Sequence, residues 1–445
     1  MKRSIQLSDH FTCAKLLRFV LPSIVMMVFT SIYGVVDGLF VSNFAGKNSF
    51  AAINLVMPFI MVLGGIGFMI GTGGTALVAK LLGEGKAEEA NRCFSMMIRF
   101  TALLGVGLTV IGVTCMRPVA LFLGATPEML GDCVRYGRVC VAFTCAFMLQ
   151  NVFQSFLIAA EKPKLGLAAT VAAGVTNMVL DALFVGVFRW GVVGAAAATG
   201  LSQCVGGLLP LLYFLRPNTS RLRLVRTRLE LQLLLNACGN GSSELMSNIS
   251  SSIVSMIYNF QLLKYLGADG VSAYGVLMYV QFIFVAIDVG FAIGSAPIVS
   301  FHYGAQNHAE LKSMLRLSTR LMTAAGVVMA ALAVMLAAPL ARLFVSYDAG
   351  LYTLTCHAFR LFAPAFVFAG FNIFASSFFT ALGNGLISAA ISFLRTLVFQ
   401  TSSVLLLPLL FGVDGIWYAI TVAEVCATVI SVIFLFARRN RYHYM

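Results

Sequence analysis

Two aspartates in the first half of the chain stand where carboxylates are costly. Asp37 lies deep inside a long apolar run that opens near Pro22 and contains Tyr33. An apolar run of about 20 residues is long enough to cross a bilayer as a helix. From Phe19 to Asp37 is roughly 27 Å of helix, so Asp37 belongs to the distal part of that span. An acid inside a membrane helix costs about 2.5–3.5 kcal/mol on insertion scales and marks a functional site by default. The plain alternative is a carboxylate at the helix end that meets water and caps the run. Asp181 lies at a comparable depth, roughly 24 Å along another apolar run that leaves the same side near Leu165. Asn177 is one turn below it on the same helix face. Thr199, on the next run, returns to a similar level. Asp37, Asp181, Asn177 and Thr199 would then form an oxygen-rich cluster. Oxygen ligands suit a hard cation such as Na⁺. Two close carboxylates also suit a shared proton. A polar network that only fixes helix packing is the competing account.

The elements that must position these groups follow from composition. The chain has 445 residues, of which 60% are hydrophobic and 11% charged. Soluble domains carry about 25% charged residues, so the expectation is an all-α polytopic membrane protein. Apolar runs near 19–42, 52–75, 94–115, 135–158, 166–188 and 194–215 are followed by the basic stretch Arg216–Arg228. Six more runs lie near 240–263, 273–298, 318–338, 356–381, 386–409 and 415–437, which makes twelve expected transmembrane helices. Basic residues precede the first run, but no small-residue cleavage site follows it, so a cleaved signal peptide is not expected. A net charge of +13 is better explained by cytoplasmic loops than by nucleic acid. Lys2, Arg3, Lys80, Lys86, Lys162, the 216–228 arginines and Arg438–Arg441 fall on one side, which places both termini in the cytoplasm. The ten cysteines are scattered without a CxxC pair or a Cys/His cluster, so they read as small packing residues rather than zinc or redox sites. No Gly-x-x-x-x-Gly-Lys-Ser/Thr loop exists, which argues against an ATP-driven pump.

The chain repeats itself at an offset of 221. Gly46 and Gly267, Gly83 and Gly304, Pro118 and Pro339, Asn151 and Asn372, and Gly194 and Gly415 pair without gaps. This register divides the chain into an N-lobe (1–215), a basic linker (216–230) and a C-lobe (231–445), each lobe having six helices. Two parallel repeats imply an axis along the membrane normal, a binding site between the lobes and a rocking mechanism. The exceptions to the repeat show what each lobe does alone. Asp37 pairs with Tyr258, Asp181 with Ser402 and Asn177 with Val398. In the C-lobe, Glu244 pairs with Ser23, Asp288 with Gly67, Glu424 with Gln203 and Arg395 with Gly174. Arg395 is expected to neutralise either Glu244 or Glu424. Glu244 and Asp288 are the candidates to face the cleft and attract cationic substrates. The chain has 37 Phe and 20 Met residues, and those that line the cleft would suit promiscuous binding of apolar cations.

Several motifs together resemble the multidrug and toxic compound extrusion (MATE) family, over roughly residues 15–438. They are Pro22, Tyr33 and Asp37 in helix 1, the Gly46…Ala51-Ala52 segment, the Gly83-Glu-Gly-Lys86 loop, the pair Asn177 and Asp181, and Thr199. The wording from Ser31 to Val41 resembles the family's bacterial multidrug exporters. Gln154 and Asn151 resemble its helix-4 polar residues. The resemblance implies a secondary antiporter in a bacterial plasma membrane that admits H⁺ or Na⁺ as an organic cation or other drug leaves. It implies a cation site in the N-lobe made of Asp37, Asp181, Asn177, Thr199, Gln154, Asn151 and Tyr33, with Pro22 as a bending point in helix 1. Some members also use acids in helices 7 and 10. Glu244 fits the first, but the run at 356–381 has no Asp or Glu, which favours the N-lobe site. The expected partners are small-molecule drugs and the lipid bilayer, with no nucleic acid, no cofactor beyond the coupling ion, and a monomeric state. The alternative is a flippase for lipid-linked sugars, which would want a basic cavity. An intramembrane enzyme is not expected, because no Ser/His pair or metal-ligand motif falls within the spans.

Overall fold

The computed structural model describes residues 5–44, 47–345 and 348–445, with side chains outside 39–51. Gly46, Lys2 and Arg3 lie outside the described residues, as do the side chains of Lys47 and Ala51. The described residues are mostly helical, with no strand among them, as lipid requires of an open-chain backbone that must satisfy its own hydrogen bonds. The first half comprises α1 (Cys13–Phe44), α2 (Lys47–Gly83), α3 (Ala87–Phe122), α4 (Pro127–Ala142), α5 (Thr144–Ala159), α6 (Pro163–Asp181) and α7 (Gly191–Leu215). The second comprises α8 (Leu231–Gly304), α9 (His308–Val345), α10 (Ala349–Phe362), α11 (Ala365–Ala381), α12 (Gly385–Phe393), α13 (Gln400–Phe411) and α14 (Val413–Tyr442). Several helices outrun their apolar segments: α3 begins at Ala87 and ends at Phe122, well beyond 94–115.

The helices among the described residues are consistent with twelve spans once the breaks are understood. The pair α4 and α5 is bent by 52°, and the pair α10 and α11 by 48°. Counting each pair as one span gives up to eleven. The longest helix, α8, is itself two. Gly267 has φ 64° and ψ −149°, a conformation that residues with a β-carbon rarely adopt. The rings of Tyr258 and Tyr274 stack at 5.1 Å, whereas 16 residues of straight helix would separate them by roughly 24 Å. The chain therefore turns back at Gly267 into two arms, 231–266 and 268–304. The two bends fall at repeat-related places, around Phe143 and Pro364, so both halves break the same span.

The halves pack closely at the end where the described chain begins and finishes. A β-carbon on Gly83 of α2 would collide with the carbonyl of Phe301, and one on Gly304 with the carbonyl of Lys80. These contacts are each other's repeat images. Higher up, Gly73 of α2 packs on Gly241 of the first arm of α8, while Gly294 of the second arm packs on Val20 of α1. Small residues at such crossings let helices approach closely where lipid supplies no hydrophobic drive. A core of Phe11, Phe19, Phe291, Phe374, Phe378 and Tyr444 spans both halves at this end. The stretch after Arg216 runs in extended form along α3, where Arg223 N donates to Asn91 Oδ1 at 2.8 Å and Val225 N to Ser95 Oγ at 2.8 Å.

Candidate functional site

The first-half site is built where α1 and α6 lie side by side. Gly174 of α6 leaves the space that the rings of Phe29 and Tyr33 fill. Four residues further along each helix come the acids: Asp37 follows Tyr33 and Asp181 follows Asn177, each pair on one face. The carboxyl groups of Asp37 and Asp181 lie within electrostatic range of each other. Asp181 is fully buried and Asn177 is 1% exposed. Neither oxygen of Asp181, nor Asp37 Oδ1, nor Asn177 Oδ1 has a hydrogen-bond donor. Thr199 is half-buried, and its hydroxyl also has no partner. No hydrogen bond among the described residues joins it to the aspartates. Beyond Asp181 the helix widens into one turn of i→i+5 hydrogen bonding over Ala182–Val187, a distortion concentrated at functional sites.

The remaining first-half candidates are placed unequally. Tyr33 lies near the amide of Gln150 and within electrostatic range of Asp37. Asn151 does not join the aspartates, because its Nδ2 donates to the carbonyl of Gly64 at 3.0 Å and ties α5 to α2. Gln154 lies lower still and donates to Thr170 Oγ1 at 3.4 Å. Thr170 precedes Asp181 by 11 residues, roughly 16 Å along the axis. Sequence reasoning passed over Gln150 and Tyr136. Tyr136 of α4 is 2% exposed and sits in the field of both aspartates. A signal existed for both, since their repeat partners are Phe371 and His357. The same loss of equivalence marks Asp37 and Asp181.

The second half divides its acids between two environments. Glu244 lines a cavity of about 250 Å³ with Ser247, Ser251, Tyr258, Met278, Phe282 and Arg395. A second, small space brings Glu244 up to Thr72, Thr75 and Ser155 of the first half. Glu244 therefore stands where the halves face each other, with no ion-pair partner among the described residues. Arg395 pairs with Glu424, not Glu244: Nη2 to Oε1 is 2.8 Å, and Nε reaches both carboxylate oxygens at 2.8 and 3.0 Å. Asn372 Nδ2 donates to Glu424 Oε2 at 2.8 Å. Asp288, expected at the cleft, is instead 1% exposed and its carboxylate lies against Gly370 of α11. The close packing of α11 on the second arm of α8 turns it into the half's interior. No group of three or more His, Cys, Asp or Glu side chains fit to hold a metal ion occurs among the described residues.

Comparison with known proteins addresses the whole chain. The sequence profile of the MatE family matches residues 22–183 and 245–404, two stretches that follow the internal repeat. The chain is 23% identical over 430 residues to the "Multidrug export protein MepA" of Staphylococcus saprophyticus, covering 96% of this chain and 94% of the relative. It is 21% identical to the Staphylococcus aureus (strain MRSA252) protein of that name over the same length, with the same coverage. Among solved structures, the outward-facing conformation of a multidrug resistance MATE family transporter superposes with a TM-score of 0.93 at 22% identity, over 100% of this chain and 99% of that one. That likeness is one of fold.

Proposed function

This chain belongs to the MatE family, and on that premise we propose that it is a multidrug exporter that admits H⁺ or Na⁺ while an organic cation or other drug leaves. The observation that carries this reading is the set of donor-free oxygens on Asp37, Asp181 and Asn177, buried between α1 and α6. Two unpaired negative charges there would cost several kcal/mol each. A proton held between the two carboxyls removes one charge and supplies one donor. A Na⁺ as cargo would instead draw on the oxygens of Asp37, Asn177, Asp181 and Thr199. Either cation pulls α1 and α6 together.

That pull has a route to the drug site. Pro22 has no N–H to donate, so α1 lacks one backbone hydrogen bond and bends more easily there. The segment around Pro22 is also the part of α1 that packs on the second arm of α8, through Gly290 and Gly294. Bending α1 therefore changes a contact between the halves. The drug would bind in the cavity beside Glu244, whose lone carboxylate complements a cation and whose Met278 and Phe282 suit flat apolar bodies. A cavity with an unpaired acid favours this over transport of a lipid phosphate. We place the lobes at 1–215 and 231–445, with 216–230 between them and both termini in the cytoplasm of a bacterial cell. The test is drug uptake into everted membrane vesicles, driven separately by a Na⁺ gradient and by a pH gradient. Uptake under one or both gradients, collapsed by the matching ionophore, is expected. Uptake that needs ATP and ignores both gradients would overturn the reading.

A further inference from the structure

We propose that Asp288 is a second proton-binding site, housed in the second half and linked to the drug cavity through Arg395. Its meaning for transport rests on the exporter reading, but it uses none of the first-half residues. Asp288 is 1% exposed, and neither of its carboxylate oxygens has a donor. The charged groups that face it are Arg395 and Glu424. Glu424 already holds Arg395 through three contacts of 3.0 Å or less and accepts from Asn372. One guanidinium thus faces two carboxyls, and the one it does not hold is Asp288. The other helices packed here add no charge: α11 presents Gly370 and Asn372, α9 contributes Met322 and Met329 to the surrounding cores, and α1 presents Ser23 and Ile24. On the first arm of α8, Tyr258 has a buried hydroxyl without a partner.

A bound proton balances this group, leaving Asp288 neutral beside an ion pair. Release has a path, because Arg395 and Asn372 line the cavity that also holds Glu244. The step is a simple transfer: the Asp288 O–H bond breaks, its proton goes to water in the cavity, and the electron pair stays on the carboxylate. That carboxylate then competes with Glu424 for Arg395. The guanidinium shifts toward α8, and the positive charge opposite Glu244 moves with it. The backbone supports such a shift, since Arg395 lies in an i→i+5 turn over Leu394–Phe399, the counterpart in kind of the turn that follows Asp181.

The experiment is infrared titration of the purified full-length protein labelled with ¹³C-aspartate, in an Asp37→Asn/Asp181→Asn background. Asp288 is then the only buried aspartate left among the described residues. A carboxylic-acid C=O band from labelled aspartate, present at low pH and lost as pH rises, is expected. It should be absent after adding Asp288→Asn. A label ionised at every pH, or an acid band that never titrates, overturns the proposal. In the otherwise native chain, Asp288→Asn should shift the pH profile of drug export, and an unchanged profile counts against it. Should Asp288→Asn not fold, the titration of the background protein still decides. Because that background lacks the first-half acids, failure of the first-half site leaves this result standing.

Discussion

The nearness of Asp37 and Asp181 was legible before structure. Their similar depth came from counting helix residues, and the lack of a counterpart in the repeat set both apart. What a one-dimensional reading lacks is side-chain direction. Asp288 passed the same tests as Glu244, yet close packing at Gly370 turns it inward, while Glu244 meets the cavity. Glu244→Gln should weaken binding of a cationic drug about tenfold, the equivalent of about 1.4 kcal/mol, and leave a neutral drug almost unaffected. Binding isotherms for one drug of each class decide it, and equal loss for both contradicts a charge role. Arg395 has a different duty in the resting structure, since its removal strands Glu424 as a buried charge. Breaking such a pair costs about 3–5 kcal/mol. Arg395→Ala should therefore lower the thermal unfolding midpoint in detergent by several degrees, with Glu424→Gln/Arg395→Met recovering most of it. An unshifted midpoint for Arg395→Ala would mean that the pair contributes little.

At the scale of elements, the twelve apolar runs were readable because a membrane span needs length and hydrophobicity and little else. The breaks within them were not. Only Pro364, in the run near 356–381, hints at the 48° bend; its repeat counterpart Phe143 gives no such sign of the 52° bend, and the wide turns at 182–187 and 394–399 depend on tertiary packing. The short segment before α1 was equally hidden. Leu7 N donates to Glu161 Oε1 at 2.9 Å in the first half, and Phe11 N to Glu310 Oε1 at 2.9 Å in the second. The segment thus straps the two halves where they close. Glu310→Ala should raise amide hydrogen exchange over residues 7–11, and unchanged exchange would show that packing alone holds the strap. For α1 itself, Pro22→Ala restores a donor and stiffens the helix. Turnover should fall while drug affinity stays within about twofold, an expectation that stopped-flow transport and equilibrium binding check together.

At the scale of the whole molecule, the repeat predicts two halves, and the structure makes the contacts between them repeat images of each other. Gly83 with Phe301 and Gly304 with Lys80 close one end, while the cavity beside Glu244 lies farther from it. On the proposed reading, the halves rock against each other, with drug beside Glu244 and the cation at the first-half acids. The coupling between the paths is the central claim, and it places the cation at Asp37 and Asp181. The direct test is drug export by reconstituted wild-type, Asp37→Asn and Asp181→Asn proteins, under an imposed pH gradient and, separately, a Na⁺ gradient. Each substitution should abolish gradient-driven export while drug binding in detergent and the thermal unfolding midpoint stay near wild type. Export by both variants at the wild-type rate with the wild-type ion dependence would contradict the account.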